Sequence, residues 1–333
     1  MSNTAVLLGL IIGTAACSAG LIVVLRPVLM RYALARPNGR SSHSTPTPQG
    51  AGLAVVATAL AGTVVASPII DGGGSGLHLL PFVLAILALA LIGLIDDIAP
   101  LQPGLRLIVQ AMAAMGLMLA LPDGARALPL LPYGIEFIIA VTGLVWFVNL
   151  TNFMDGIDGM TVAGIVPPLA VIALLSKHPL EYTAAIALIG ALIGFAPFNR
   201  HVAKVFLGDV GSLAIGGIAG WLLLSLACAG QLVAALILPL YYLADTGVTL
   251  FRRWRRGAKL SHAHREHCYQ LAARRGLTVP QVVRRVWVVN GLLLVLGLIA
   301  GMTPQLMLQL GCLATAGMLV AGLLRHLGGD GVP

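Results

Sequence analysis

The chain has 333 residues, of which 58% are hydrophobic and 10% charged, and it carries a formal net charge of +8. A mean hydropathy of +0.96 excludes an ordinary soluble domain and points to a polytopic membrane protein. Four scattered cysteines exclude a disulfide framework or a cysteine metal site, and no nucleic-acid partner is expected.

Apolar windows of about 17–25 residues suffice to cross a bilayer. Eleven such spans are expected, at 4–25, 51–70, 78–95, 105–121, 134–149, 161–176, 183–198, 211–229, 232–251, 286–302 and 305–324. The expected fold is therefore all-α, a single membrane domain over 1–333 with about 11 transmembrane helices and its chemistry in loops at one face. The first 25 residues lack a charged n-region and a small-residue cleavage site, so they read as a retained span. Of the 20 Lys and Arg, only Arg126 and Lys177 fall on the side that carries Asp71, Asp123 and Glu181. The positive-inside rule then puts the N-terminus outside and the C-terminus inside, with every acidic motif on the cytoplasmic face.

The inside loops hold the unusual residues. The first, Arg26–Gly52, contains Arg40-Ser-Ser-His43-Ser-Thr-Pro-Thr-Pro-Gln-Gly-Ala-Gly52, whose Pro and Gly leave backbone N–H groups free. The second begins with Asp96 and Asp97, which point about 100° apart on a helix. One is free to bind a cation or act as a base while the other takes a basic partner; a solvated helix end explains the pair equally well. The third is Asn149-Leu-Thr-Asn152-Phe-Met-Asp155-Gly-Ile-Asp158-Gly159. A continued helical turn would line up Asn152, Asp155 and Asp158, with the glycines admitting a phosphate; a capping loop is the plainer reading. Next comes Phe206-Leu-Gly-Asp209-Val-Gly-Ser212, one carboxylate among small residues at a helix start, where amides attract anions. The last loop, Phe251–Arg285, carries a run of arginines and then His262, His264, Arg265 and His267. Without matched Cys or acidic spacing these histidines are weak zinc ligands and read better as a diphosphate site. Asp96, Asp97, Asp155, Asp158 and Asp209 are five of only twelve acidic residues, all at the ends of apolar segments. A buried charge there is costly unless it is paired, solvated or holding a cation, and Mg²⁺ suits such oxygen ligands.

Taken in order, these motifs resemble those of the polyprenyl-phosphate N-acetylhexosamine-1-phosphate transferases, the MraY/WecA-like membrane family (glycosyltransferase family 4). The form of the Arg40–His43 and His264–Gln270 segments is most similar to the branch that initiates O-antigen or related surface glycans. Two positions depart from the family pattern. Pro48-Gln-Gly-Ala-Gly52 stands where the family often has Pro-Arg-Gly-Gly-Gly. Arg106 is the basic residue nearest to a lysine of the peptidoglycan branch. The resemblance implies an enzyme of the bacterial inner (plasma) membrane. It would move N-acetylaminosugar-1-phosphate from a UDP-sugar to undecaprenyl phosphate, with Mg²⁺ or Mn²⁺ as cofactor, membrane lipid as surroundings and a homodimer as assembly. On that reading Asp209, helped by Asp155, holds the metal. Asp96 and Asp97 orient the acceptor phosphate or take its proton, and Arg106 neutralises it. Asn152 and Asp158 hold the nucleotide, while His264, Arg265 and His267 grip the diphosphate and His43 lines the entrance. Direct attack by the lipid phosphate and a covalent Asp intermediate both remain open, with direct attack the simpler.

A CDP-alcohol phosphotransferase would need an Arg and further aspartates after Asp158, and Met160-Thr-Val-Ala-Gly follows instead. The rival from a non-enzyme class is a polytopic secondary transporter. It would need ionisable residues near mid-membrane, and Asp245 is the sequence's one candidate.

Overall fold

In a computed structural model describing residues 3–35, 46–71, 76–259 and 264–329, the chain is helical apart from one short ribbon. The helices are α1 (Asn3–Tyr32), α2 (Gly52–Asp71), α3 (Gly76–Ile98), α4 (Pro103–Leu119), α5 (Tyr133–Met154), α6 (Met160–Leu175), α7 (Pro179–Asn199), α8 (Asp209–Leu226), α9 (Leu232–Ile237), α10 (Leu240–Arg255), α11 (Cys268–Arg274), α12 (Val279–Met302) and α13 (Leu306–Gly328). The ribbon pairs β1 (Leu34–Ala35) antiparallel with β2 (Thr47–Pro48).

Eight helical stretches of the described residues are long and apolar enough to cross a membrane. These are Ala5–Tyr32, Gly52–Asp71, Gly76–Ile98, Tyr133–Met154, Pro179–Asn199, Asp209–Ile237, Val279–Met302 and Leu306–Gly328. Two shorter apolar helices, Pro103–Leu119 and Met160–Leu175, fall on the expected fourth and sixth spans. The expected eighth and ninth spans are drawn differently. The helical stretch from Asp209 runs on to Ile237, with a bend where Gly230 takes φ 84°. The ninth is then broken at Pro239, which cannot continue the amide ladder, so α9 and α10 replace one rod. The coarse architecture is thus an all-helical, multi-pass membrane protein.

Helix α8 is the axis of the bundle. It packs on α2, α3, α5, α6 and α7, and Trp221 and nearly every other side chain along it are buried. The outer helices show the opposite pattern. Ile12 of α1 is 67% exposed, Val288 of α12 59% and Met307 of α13 81%. Large apolar side chains facing outward in this way need lipid rather than water around them.

The chain reverses between successive helices, so one end of the bundle collects Asp96–Arg106, Asn149–Thr161, Asn199–Asp209 and the α10–α12 connection. The other end gathers Asp71, His78, Asp123, His178 and Glu181 around a cavity of about 450 Å³. At the first end the backbones approach closely. A Cβ on Gly52 would lie 2.3 Å from Gly211 Cα and 2.7 Å from the Leu207 carbonyl oxygen.

Gly52→Ala is therefore expected to force α2 away from α8 and to cost about 1–3 kcal/mol, read as a lowered Tm in detergent. Gly291→Ala, where an added Cβ meets nothing within 4 Å, is the matched control and should leave Tm unchanged. Equal Tm values for the two variants would contradict the close α2–α8 crossing.

Candidate active site

The turn into α8 is set by Gly208, whose φ of +78° is strained for any side chain; a Cβ there would also reach within 2.5 Å of Asp97 Oδ2. The first amides of α8 point at Asp97. Asp209 N–H donates to Oδ1 at 2.9 Å and Val210 N–H to Oδ2 at 3.1 Å. Gln49 Nε2 donates to the same Oδ1. Residues 48–52 run alongside: Phe206 N–H donates to the Pro48 carbonyl at 2.8 Å and Gly52 N–H to that of Leu207 at 2.8 Å. Gln49 thus makes a polar contact with Asp97 at the position where the family often has Arg. Nothing in the residue itself signalled that partner.

Asp96 turns the other way. It accepts from Arg106 Nη1 at 2.6 Å and from Leu101 N–H at 2.7 Å. The second guanidinium nitrogen of Arg106 lies 3.6 Å from Asp209 Oδ2. On the other side of Asp209, Asn152 Nδ2 donates to Oδ1 at 2.8 Å and to Ser212 Oγ at 2.9 Å. Asp209 therefore sits between a cation and an amide.

The helical line expected through Asn152, Asp155 and Asp158 does not form. Helix α5 stops at Met154, Asp155 stands at its C-cap, and the chain turns through 156–159, where Gly159 has φ 79°. Asp158 is turned off the line of Asn152 and Asp155 because two glycines interrupt the turn that would have aligned it. It pairs with His201 Nδ1 at 2.8 Å and accepts the Ala203 N–H at 3.2 Å. Asp155 stays at the site and accepts the Thr161 hydroxyl on Oδ1. Burial pushes its carboxyl up to about 7 against that hydrogen bond, and the charges of Asp209, Asp97 and Asp158 push the same way.

The last loop is anchored from below. Asp245 is fully buried and accepts from His267 Nδ1 at 3.1 Å, Cys268 N–H at 3.0 Å and Tyr269 N–H at 3.4 Å. Asp245, the one carboxylate a transporter reading would have used, has a structural task here, tying α10 to the start of α11. From above, Glu266 pairs with Arg253 and Arg256. Held between these, His267 and His264 stack at 5.0 Å, and Tyr269 donates to the Phe153 carbonyl at 2.8 Å. Burial, with the charges of His267 and Arg253, lowers the His264 imidazole to about 4, so it is neutral at pH 7. Its Nδ1 is buried with no hydrogen-bond partner among the described residues. His264 therefore offers an anion an N–H rather than a full charge. Arg265 does not line the cavity of its neighbours, and His43 lies outside the described residues.

A cavity of about 700 Å³ is lined by the polar Arg106, Asn152, His264, His267 and Gln270 together with the apolar Leu107, Val145, Trp146 and Leu250. Asp96, Asp97, Asp155 and Asp209 are not among its lining residues; Arg106 and Asn152, which contact Asp209, connect it to them. Among the described residues, no three His, Cys, Asp or Glu side chains form a closed metal cage. Asp209 and Asp155 nevertheless fit Mg²⁺, which usually takes one or two carboxylates and fills its shell with substrate phosphates and water.

The raised Asp155 carboxyl has a pH consequence. A carboxyl whose folded pKa lies above the unfolded value of 3.8 adds stability below pH 4 and loses it as pH rises through about 7. In metal-free buffer, Asp155→Asn should raise Tm at pH 8 relative to the parent, with the gain vanishing near pH 4. A gain independent of pH would deny the carboxylate cluster.

Residues 79–227 match the family model described as glycosyl transferase family 4. The decaprenyl-phosphate N-acetylglucosaminephosphotransferase of Mycobacterium tuberculosis (strain CDC 1551 / Oshkosh) is 34% identical over 206 residues, covering 55% of this chain and 51% of that protein. The protein of the same name from Mycobacterium leprae (strain TN) is 34% identical, covering 60% and 55%. A phospho-N-acetylmuramoyl-pentapeptide-transferase of Gluconobacter oxydans (strain 621H) is 32% identical, covering 51% and 50%. The chain spans about half the length of the curated relatives it matches. The matched residues 79–227 carry Asp96–Asp97, the Asn152–Asp158 element and the Gly208–Ser212 turn, so the similarity to glycosyl transferase family 4 takes in these three acidic motifs.

Proposed function

We propose that this protein transfers an N-acetylaminosugar-1-phosphate from a UDP-sugar to undecaprenyl phosphate, giving the lipid diphosphate sugar and UMP and so initiating a surface glycan. The observation that carries this reading is one cavity lined both by the apolar Leu107, Val145, Trp146 and Leu250 and by Arg106, Asn152, His264 and His267. A polyprenyl chain suits the apolar side chains and phosphates the polar ones. The names of the mycobacterial relatives make UDP-N-acetylglucosamine the first donor to test.

In this mechanism an oxygen of the acceptor phosphate attacks the β-phosphorus of the UDP-sugar. The bond from that phosphorus to the bridging oxygen breaks, and UMP leaves. Such transfers depend on positioning and charge stabilisation more than on covalent chemistry. Arg106 meets the negative charge of the acceptor and is itself oriented by Asp96. His264 and His267 offer N–H groups to the diphosphate, with Asp245 fixing the His267 ring. Asp97 acts as a positioning residue through the start of α8. Asp209 and Asp155 would hold Mg²⁺, on which the family generally depends; when bound, it neutralises the phosphate oxygens as a Lewis acid. The assembly reading is eleven spans, N-terminus outside, with this site on the cytoplasmic face of a bacterial inner membrane.

The purified protein with undecaprenyl phosphate and Mg²⁺ should release UMP from UDP-N-acetylaminosugars and stop on chelation. Asp209→Asn should lose at least about 100-fold in kcat, the scale of a lost charge-stabilising group. His264→Ala should lower kcat/KM for the UDP-sugar about tenfold, the scale of one hydrogen bond to a charged group, with the KM for lipid unchanged. Near-normal activity of Asp209→Asn at saturating Mg²⁺ would reject its role, and a His264 loss confined to the lipid would exchange the two phosphate sites.

Orientation is tested separately, in a background without the native cysteines. Leu130→Cys, at a position 98% exposed, should react with an impermeant thiol reagent in intact cells, whereas Arg255→Cys should not. The reverse pattern would invert the protein in the membrane.

A further inference from the structure

Away from the cavity just described, α12 and α13 form a second recess at the same end of the bundle. It is lined by Arg284, Arg285 and His326 above, and by Val288, Val289 and Leu323 below, with a volume of about 460 Å³. Arg284 and Arg285 lie on the second turn of α12, and His326 on the last turn of α13. Arg285 Nη1 donates to the Gln281 carbonyl at 2.8 Å, which leaves its other N–H groups for a further partner. Among the described residues, no carboxylate pairs with Arg284, Arg285 or His326 (the ion pairs lie elsewhere).

The surface continues from this recess in one direction only. Val288, Leu292, Val295 and Ile299 follow one another at helical spacing down α12, and all four are more than 40% exposed. Trp287, also 40% exposed, flanks the top of that stripe. Aromatic rings and basic side chains at this level mark the headgroup layer, with the apolar stripe below at acyl-chain depth.

We propose that this recess binds an anionic glycerophospholipid. Its phosphate sits among Arg284, Arg285 and His326, and an acyl chain lies along Val288, Leu292, Val295 and Ile299. Charge complementarity commits the upper part to a phosphate. The stripe commits the ligand to a lipid rather than a soluble anion.

Native mass spectrometry of the full chain in neutral detergent tests this by titration with phosphatidylglycerol. The parent should retain one phosphatidylglycerol at concentrations where phosphatidylcholine is not retained. The R284Q/R285Q/H326Q variant should weaken that first binding at least about tenfold, since each basic residue near an anionic headgroup contributes to the attraction. Excess inorganic phosphate should not displace the lipid. Unchanged binding by the triple variant, equal retention of phosphatidylcholine, or displacement by inorganic phosphate would each overturn the proposal. R284Q alone changes one exposed side chain; if the triple variant fails to fold, this single variant must show a smaller shift in the same direction or the site is wrong.

Discussion

The Asp97 carboxylate of α3 joins the start of α8 and the segment that carries Gln49. An ion inside a helical bundle costs several kcal/mol unless donors replace its water. Asp97 finds them in the first two amides of α8 and in Gln49. The helix start is also where the backbone dipole favours a negative charge. Because a carboxylate and an amide must meet within about 3 Å, α8 cannot slide along α3. The missing side chain of Gly93 allows that fit, since a Cβ there would lie 2.3 Å from the Asp209 carbonyl oxygen. With the start of α8 fixed, Asp209 falls between Arg106 and Asn152, and the Pro48–Gly52 segment docks on Phe206 and Leu207.

Asp245 works by the same physics at the other side of the cavity. It collects two amides, an imidazole and, at 3.4 Å each, the hydroxyls of Tyr241 and Thr249. At the far end of the bundle, Glu136 accepts the N–H groups of Ala127 and Leu128 and pairs with Arg126. In each case a buried carboxylate satisfies loop amides that helical geometry leaves open. Lipid offers those amides no water, so the acidic residues of such a chain serve as loop anchors as well as chemistry.

Much of the architecture was legible in the sequence because apolar length is a strong signal. The helices fall where the hydropathy puts them, and the acidic motifs gather at one end because successive spans reverse direction. The misreadings have local causes. The line Asn152–Asp155–Asp158 assumed a helix that Gly156 and Gly159 end. The single span 232–251 ignored Pro239. Gln49, Thr161 and His201 each became a carboxylate's partner across 6 to 48 residues of sequence, and the Glu266 carboxylate took Arg253 and Arg256, 13 and 10 residues away. No periodicity encodes such pairings. The resemblance located the motifs, but only the packing shows which members of each motif share a wall.

Counting lone pairs then separates the carboxylates by task. An ionised carboxylate accepts about four hydrogen bonds. Asp245 has five contacts on it, which fill that number, and Asp97 has three, which leave room for about one more. Asp96 is committed to Arg106 and Leu101 on separate oxygens. Asp158 accepts from His201 and from the Ala203 N–H, both on Oδ2. Asp209 lies against Asp96 as well as 3.6 Å from Arg106, and among the described residues Asp155 Oδ2 has no hydrogen-bond donor. These two also repel each other, which helps to hold the Asp155 carboxyl near 7. A divalent cation between them would relieve that repulsion and use the oxygens that the fold leaves open. The proposed metal role of Asp209 and Asp155 is thus supported by what the other carboxylates are already bound to.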